Sequence, residues 1–253
     1  MNLNHRFDGP EDAPVLVLSN SLGTTLDLWE LQVHGLSRRF RLLRYDHRGH
    51  GGSPVPPGPY TMAELGGDVL ELLDRLELER ISFCGLSIGG AVGMWLGANA
   101  PGRIDRLVVA CSSARFGTSD AWIERAATVR AEGTEAIADA VMSRWFTPSF
   151  AAEEPQIVRR FREMVATTPA EGYAGCCDAL RDWDFRDELG RVAPPTLVIV
   201  GELDPVASFV DAEVLFERIP DASVTVIAGV AHLANVPQPE QFKHAVLSHL
   251  EAL

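Results

Sequence analysis

The sequence predicts an α/β protein: a mostly parallel, doubly wound sheet with a helical cap inserted between two of its strands. Three observations carry this reading. Short continuous apolar runs of strand length alternate with helix-like segments along most of the chain. One long stretch, 115–185, breaks that rhythm and contains no convincing strand. The chain has 253 residues, 46% of them apolar and 23% charged, which suffices for one large buried core.

The strands come first. "APVLVLS" (13–19), "RLLRYD" (41–46), "RISFCG" (80–85), "RLVVACS" (106–112), "PTLVIVG" (195–201) and "SVTVIA" (223–228) are the candidates. Their apolar runs suit parallel strands covered on both faces. Helices are expected near 61–76, 87–99, 208–218 and 237–251. The first places Met62, Leu65, Val69, Leu72, Leu73 and Leu76 on one stripe. Thr61 with Glu64 three residues on has the form of a capping box at its start. Alternation of strand and helix argues for a parallel sheet wound on both sides.

The interruption reads as four helical segments, "SDAWIERAATVRAEG", "TEAIADAVMSRWF", "EEPQIVRRFREMVATT" and "PAEGYAGCCDALRDW", punctuated by Pro148, Pro155 and Pro169. The expected organisation is a core of residues 1–114 and 186–253 with a cap of 115–185. In open α/β sheets ligands bind outside the carboxyl ends of the strands, where such a cap would sit.

Composition removes several classes of function. A formal charge of −13 gives no electrostatic footprint for nucleic acid, and the longest basic clusters are "RRFR" at 38–41 and 159–162. Four cysteines, Cys84, Cys111, Cys176 and Cys177, show no CxxC spacing, so neither a disulfide framework nor a zinc site is expected. That usage fits a reducing cytosol. "MNLNHRFDG" lacks the pattern of a signal peptide, and the most apolar stretch, 84–98, is too short and glycine-rich to cross a membrane. The expected setting is cytoplasmic, with no nucleic-acid or membrane partner.

The chemistry lies in "CGLSIGG", residues 84–90, at the join of a strand and a helix. It has the form G-x-S-x-G, with Gly85, Ser87 and Gly89. A tight strand-to-helix turn strains the backbone of its central residue and leaves no room two positions either side. Gly90 lets the helix approach its neighbours. The helix start also offers free N–H groups to developing negative charge.

A serine hydroxyl needs a base, and the base needs an orienting acid. Both are expected on loops after later strands. Asp204 in "GELDPV" follows the strand 195–201, and His232 in "GVAHLANVPQPEQF" follows the strand 223–228. Glu202 is the alternative acid, whereas the loop "SSAR" after 106–112 offers none. His47 and His50 in "DHRGHGGS" have no matching carboxylate set and read as loop structure rather than a metal pair. His5, His34, His244 and His249 read as surface or helix residues. An oxyanion hole would draw on the N–H of Ile88, next after the serine, and of Leu22 in "SNSLGTT" after the first strand.

On "SNSLGTTLDLWE", "YDHRGHGGS", "FCGLSIGGAVG", "VIVGELDPV" and "GVAHLANVPQPEQF", in that order, the chain resembles the α/β-hydrolase family over its whole length. Many members carry His-Gly where this chain has Asn20-Ser21. The Asn-Ser-Leu-Gly form, with "SRWFTPSF" at 143–150, is similar to the 3-oxoadipate enol-lactonases. The resemblance implies Ser87 as nucleophile, His232 as base, Asp204 as orienting acid, and Leu22 and Ile88 as oxyanion donors. It implies hydrolysis of a small anionic enol-lactone in aromatic catabolism, without a metal or organic cofactor. The carboxylate of such a substrate needs a local cation in so acidic a protein. Arg144 beside Trp145 in the cap is the first candidate, with Arg130 and Arg115 behind it. The same scaffold also serves esterases, carbon–carbon bond hydrolases and perhydrolases, or a receptor that binds without catalysis.

Overall fold

The computed structural model describes residues 1–251. Its strands are β1 (His5–Asp8), β2 (Val15–Ser19), β3 (Arg41–Tyr45), β4 (Ile81–Leu86), β5 (Ile104–Ala110), β6 (Thr196–Gly201) and β7 (Ala222–Ile227). They form one sheet in the order β1-β3-β2-β4-β5-β6-β7. Only the β1–β3 pairing is antiparallel. The six expected strands are present with ends shifted by a residue or two. β1 was not expected, because "HRFD" is an edge strand with charged side chains and no apolar run.

The helices are α1 (Glu30–Leu36), α2 (Met62–Arg75), α3 (Ile88–Asn99), α4 (Ser119–Glu132), α5 (Glu135–Trp145), α6 (Pro148–Glu153), α7 (Pro155–Thr167), α8 (Ala170–Arg181), α9 (Phe209–Arg218) and α10 (Pro239–Leu250). The capping box of α2 is complete: Glu64 N–H donates to Thr61 Oγ1, and the Glu64 carboxylate accepts from the Thr61 N–H. Its stripe of Leu65, Val69, Leu72 and Leu73 is buried. Truncating one of these leucines to alanine costs about 2–5 kcal/mol of transfer and cavity energy. α3 has no polar face at all and packs on β4 and β5.

Five helices in a row, α4 to α8, stand between β5 and β6. The fold is therefore the doubly wound α/β architecture with a helical insertion. Two contacts bind the insertion to the sheet domain at its ends. Trp183 donates its indole N–H to the Ser113 carbonyl at 2.9 Å, and the Phe185 N–H donates to the Ala114 carbonyl at 2.8 Å. Gly172 of α8 lies so close to Gly49 that a methyl group on either would run into the other's backbone.

Register brings the strand ends level. Ser19 stands opposite Gly85, Leu86 opposite Ala110, and Ala110 opposite Ile199. The loops after β2, β4, β6 and β7 thus open on the same edge of the sheet, beneath the helical insertion.

Candidate active site

The turn between β4 and α3 holds Ser87 at φ 59°, ψ −117°, a region that residues with a Cβ enter only when the surroundings force it. Three hydrogen bonds do the forcing. Ser87 N–H donates to the Ala110 carbonyl at 2.9 Å. Gly89 N–H donates to the Asn20 carbonyl at 3.1 Å. The Ser112 hydroxyl donates to the Ser87 carbonyl at 2.7 Å. A Cβ at Gly85 would strike the Gly89 carbonyl, and one at Gly90 would come within 2.6 Å of Ser112 Cβ. The glycines are there for space, as the motif implied.

Asp204 lies just beyond β6 and His232 in the loop after β7. Nδ1 of His232 is 2.9 Å from Asp204 Oδ2 and 3.1 Å from Oδ1. Oδ1 also accepts the N–H groups of Val206 (2.8 Å) and Ala207 (3.1 Å), which lock the carboxylate in place. Both side chains are almost fully buried. Glu202, the alternative acid, turns away and accepts the Gly229 N–H at 2.7 Å. Ser87 and His232 line one cavity of about 200 Å³, together with Leu22, Arg144 and Trp145. Five of the sequence-derived candidates, Leu22, Ser87, Arg144, Trp145 and His232, thus meet in one place, with Asp204 bonded to His232 behind them.

The two N–H groups expected to face an oxyanion have a distinctive status. Their neighbours are engaged: Gly89 N–H with Asn20, and Gly23 N–H with His50 Nε2 at 3.0 Å. Among the described residues, no acceptor is bonded to the N–H of Leu22 or of Ile88. Ile88 opens α3, so its N–H has no partner within the helix.

The loop carrying Leu22 is braced from below. Asn20 Nδ2 donates to the Tyr45 carbonyl at 2.7 Å, and Trp29 Nε1 donates to Asn20 Oδ1 at 2.9 Å. His47 donates through Nε2 to the Asn20 carbonyl at 3.2 Å. His50 donates through Nδ1 to the Arg48 carbonyl, leaving Nε2 to accept from Gly23. Burial holds both imidazoles neutral; it lowers His47 to about 3, with His50 the next cause, and also lowers His50. Their bracing of this loop is what the loop reading of "DHRGHGGS" lacked. Among the described residues no set of three or more His, Cys, Asp or Glu is arranged to hold a metal ion.

In the insertion, Trp145 is buried against Phe161 and its carbonyl accepts the Leu233 N–H at 3.2 Å, next to His232. Arg144 is exposed at the cavity mouth. The two reserve arginines lie elsewhere: Arg130 is paired with Glu171 and Asp178, and Arg115 lines a separate pocket. Sequence reasoning missed Arg125 and Tyr173, which also line the cavity. Both sit on helices of the insertion, where spacing alone does not tell an inward residue from an outward one.

A strained serine and a buried histidine–carboxylate pair thus stand at the carboxyl edge of the sheet, beside two N–H groups that have no acceptor among the described residues. Residues 14–239 match the model of the alpha/beta hydrolase fold family. The chain belongs to that family and is a hydrolase. It is 42% identical to 3-oxoadipate enol-lactonase 2 of Acinetobacter baylyi, over 96% of this chain and 91% of the relative. It is 40% identical to 3-oxoadipate enol-lactonase 1 of the same organism, over 95% and 90%. The crystal structure of the enol-lactonase from Burkholderia xenovorans LB400 superposes with a TM-score of 0.97 at 41% identity, covering 99% of this chain and 96% of that one.

Proposed function

We propose that this chain hydrolyses 3-oxoadipate enol-lactone to 3-oxoadipate, with Ser87, His232 and Asp204 as a catalytic triad. The observation that carries the proposal is the His232–Asp204 pair facing the same cavity as Ser87, in a chain about two-fifths identical to named enol-lactonases along nearly its whole length. His232 takes the Ser87 proton through Nε2 while Oγ bonds to the lactone carbonyl carbon. The oxyanion is received by the N–H groups of Leu22 and Ile88. Collapse breaks the ring C–O bond, and His232 returns its proton to the departing enolate. The enol becomes a ketone, which draws the ring opening forward. His232 then takes a proton from water, the hydroxide attacks the acyl-enzyme, and Ser87 leaves with the proton. Asp204 holds the imidazole tautomer and offsets the positive charge on the ring in both halves.

The substrate is an anion in a protein of charge −13. Arg144 at the mouth supplies local positive charge, and Trp145 packs the wall beside it. Charges beyond about 8–10 Å are screened at physiological salt, so these near residues govern entry. Helices α4 to α8 act as a cap over the catalytic edge. The reaction belongs to breakdown of aromatic compounds through protocatechuate or catechol, in a reducing cytoplasm that suits four buried free cysteines.

A panel of lactones and aryl esters tests the reading. The expected result is a kcat/KM for the enol-lactone well above that for neutral aryl esters. The reverse order would assign the chain to a general esterase instead.

A further inference from the structure

Two guanidiniums share the catalytic cavity. Arg125, on α4, and Arg144, next to the end of α5, both line it with Ser87 and His232. Among the described residues neither pairs with a carboxylate. The contrast on the same helix is plain, since Arg130 is bound by Glu171 and Asp178. Arg125 is also held in place. Its guanidinium carbon lies 4.9 Å from the Trp122 ring centroid, and its positive charge acts on the buried Tyr173 hydroxyl. Trp122 is itself fixed by its indole N–H, which donates to the Phe116 carbonyl at 2.6 Å. Arg144 stands farther out and borders a second groove with Leu203 and Pro205. Partial desolvation at the mouth and the nearness of Arg125 both weaken its hold on its proton.

Two like charges left without a counter-ion in one small cavity disfavour each other, and a bound anion removes that cost. A guanidinium whose stem is already clamped loses little freedom on forming a two-pronged carboxylate contact. We infer that Arg125 is a specificity-determining residue. With Arg144 at the mouth, it holds the carboxylate of the substrate, so the site selects esters and lactones whose acyl chain ends in a carboxylate over their neutral counterparts. This rests on the hydrolase reading of Ser87, but not on the lactone as the particular substrate.

The test uses two aryl esters on the six-carbon skeleton that the acyl-enzyme would carry: the mono-4-nitrophenyl ester of adipic acid, and its 4-nitrophenyl methyl diester. The readout is the ratio of kcat/KM for the anionic over the neutral ester, taken within each variant so that general losses cancel. In the wild type this ratio should be about 10 or more, the scale of a charge-assisted contact. It should fall about 10-fold in Arg125→Gln and only partly in Arg125→Lys, which keeps the charge without the fork. A wild-type ratio near one, or a ratio unchanged in Arg125→Gln, would overturn the inference. Failure of the wild type to open the enol-lactone while the ratio persists would overturn the lactone assignment and leave this one standing.

Discussion

The backbone N–H of Gly23 donates to Nε2 of the buried His50 across 3.0 Å. The bond ties an imidazole from the loop after β3 to the loop that carries Leu22, whose own N–H stays free. It requires His50 to be neutral and protonated on Nδ1, and the Arg48 carbonyl secures that tautomer. Gly23 has φ +79°, and a Cβ there would come within 2.9 Å of the Tyr173 ring, so the loop has one way to lie. A residue that never faces the cavity thus sets the position of a proposed oxyanion donor.

Replacing His50 by Phe should therefore slow the chemistry more than it weakens binding. A displacement of an ångström at a reacting centre costs about 10²-fold in rate, so kcat for the enol-lactone should fall on that scale with KM little changed. His50→Gln, whose amide oxygen can accept from Gly23, should recover most of the loss. Steady-state kinetics on the two variants decide it; equal losses would show that the acceptor is not what matters.

Acid should destabilise the fold through His47 and His50. Each has its folded pKa below the ordinary value of 6.5, His47 at about 3, so the unfolded chain binds protons that the folded one refuses. Their contribution is complete above 6.5 and is lost as pH falls from there toward 3 for His47. The slope is up to about 1.4 kcal/mol per pH unit for each fully shifted group. Urea midpoints measured from pH 7 to 4 should fall, and His47→Gln should flatten that fall. An identical slope in the variant would rule His47 out as its source.

Asp204→Asn should cost about 10³–10⁴-fold in kcat, since the amide no longer fixes the imidazole tautomer. Glu202→Gln should leave kcat within a few-fold, because Glu202 bonds Gly229 rather than His232. If the two losses were exchanged, Glu202 would be the working acid.

Gly172→Ala should loosen the join between α8 and the loop after β3, because the new methyl meets the backbone of Gly49 rather than a movable side chain. Overpacking of this kind costs about 1–3 kcal/mol. Thermal unfolding should shift downward by several degrees, about 2–4 °C per kcal/mol for a domain of this size. An unchanged midpoint would mean that the backbone yields there at no cost.

Much of this was legible in the sequence, for physical reasons. Strands buried on both faces leave continuous apolar runs, so β2 to β6 stand out. β7 stands out as well, although Val224 and Val226 on it are exposed. β1 escaped because an edge strand pairing on one side needs no such run, and α1 because "ELQVHGL" is barely two turns. The placement of Ser87, Asp204 and His232 just past strand ends was legible because each follows a recognisable strand. Arg125 and the bracing roles of Asn20, His47 and His50 were not, since they depend on how loops and cap helices meet in space. Arg144 and Arg130, both cap arginines, look alike in sequence, but only Arg144 lines the cavity, while Glu171 and Asp178 hold Arg130 away from it.

The central claim is that Ser87 opens the enol-lactone. Its most direct test is hydrolysis of 3-oxoadipate enol-lactone by the wild type and by Ser87→Ala, with circular dichroism confirming that both are folded. The account predicts rapid turnover by the wild type and a fall of about 10⁴-fold or more in the variant. Near-equal turnover by a folded Ser87→Ala, or none by the wild type, would contradict it.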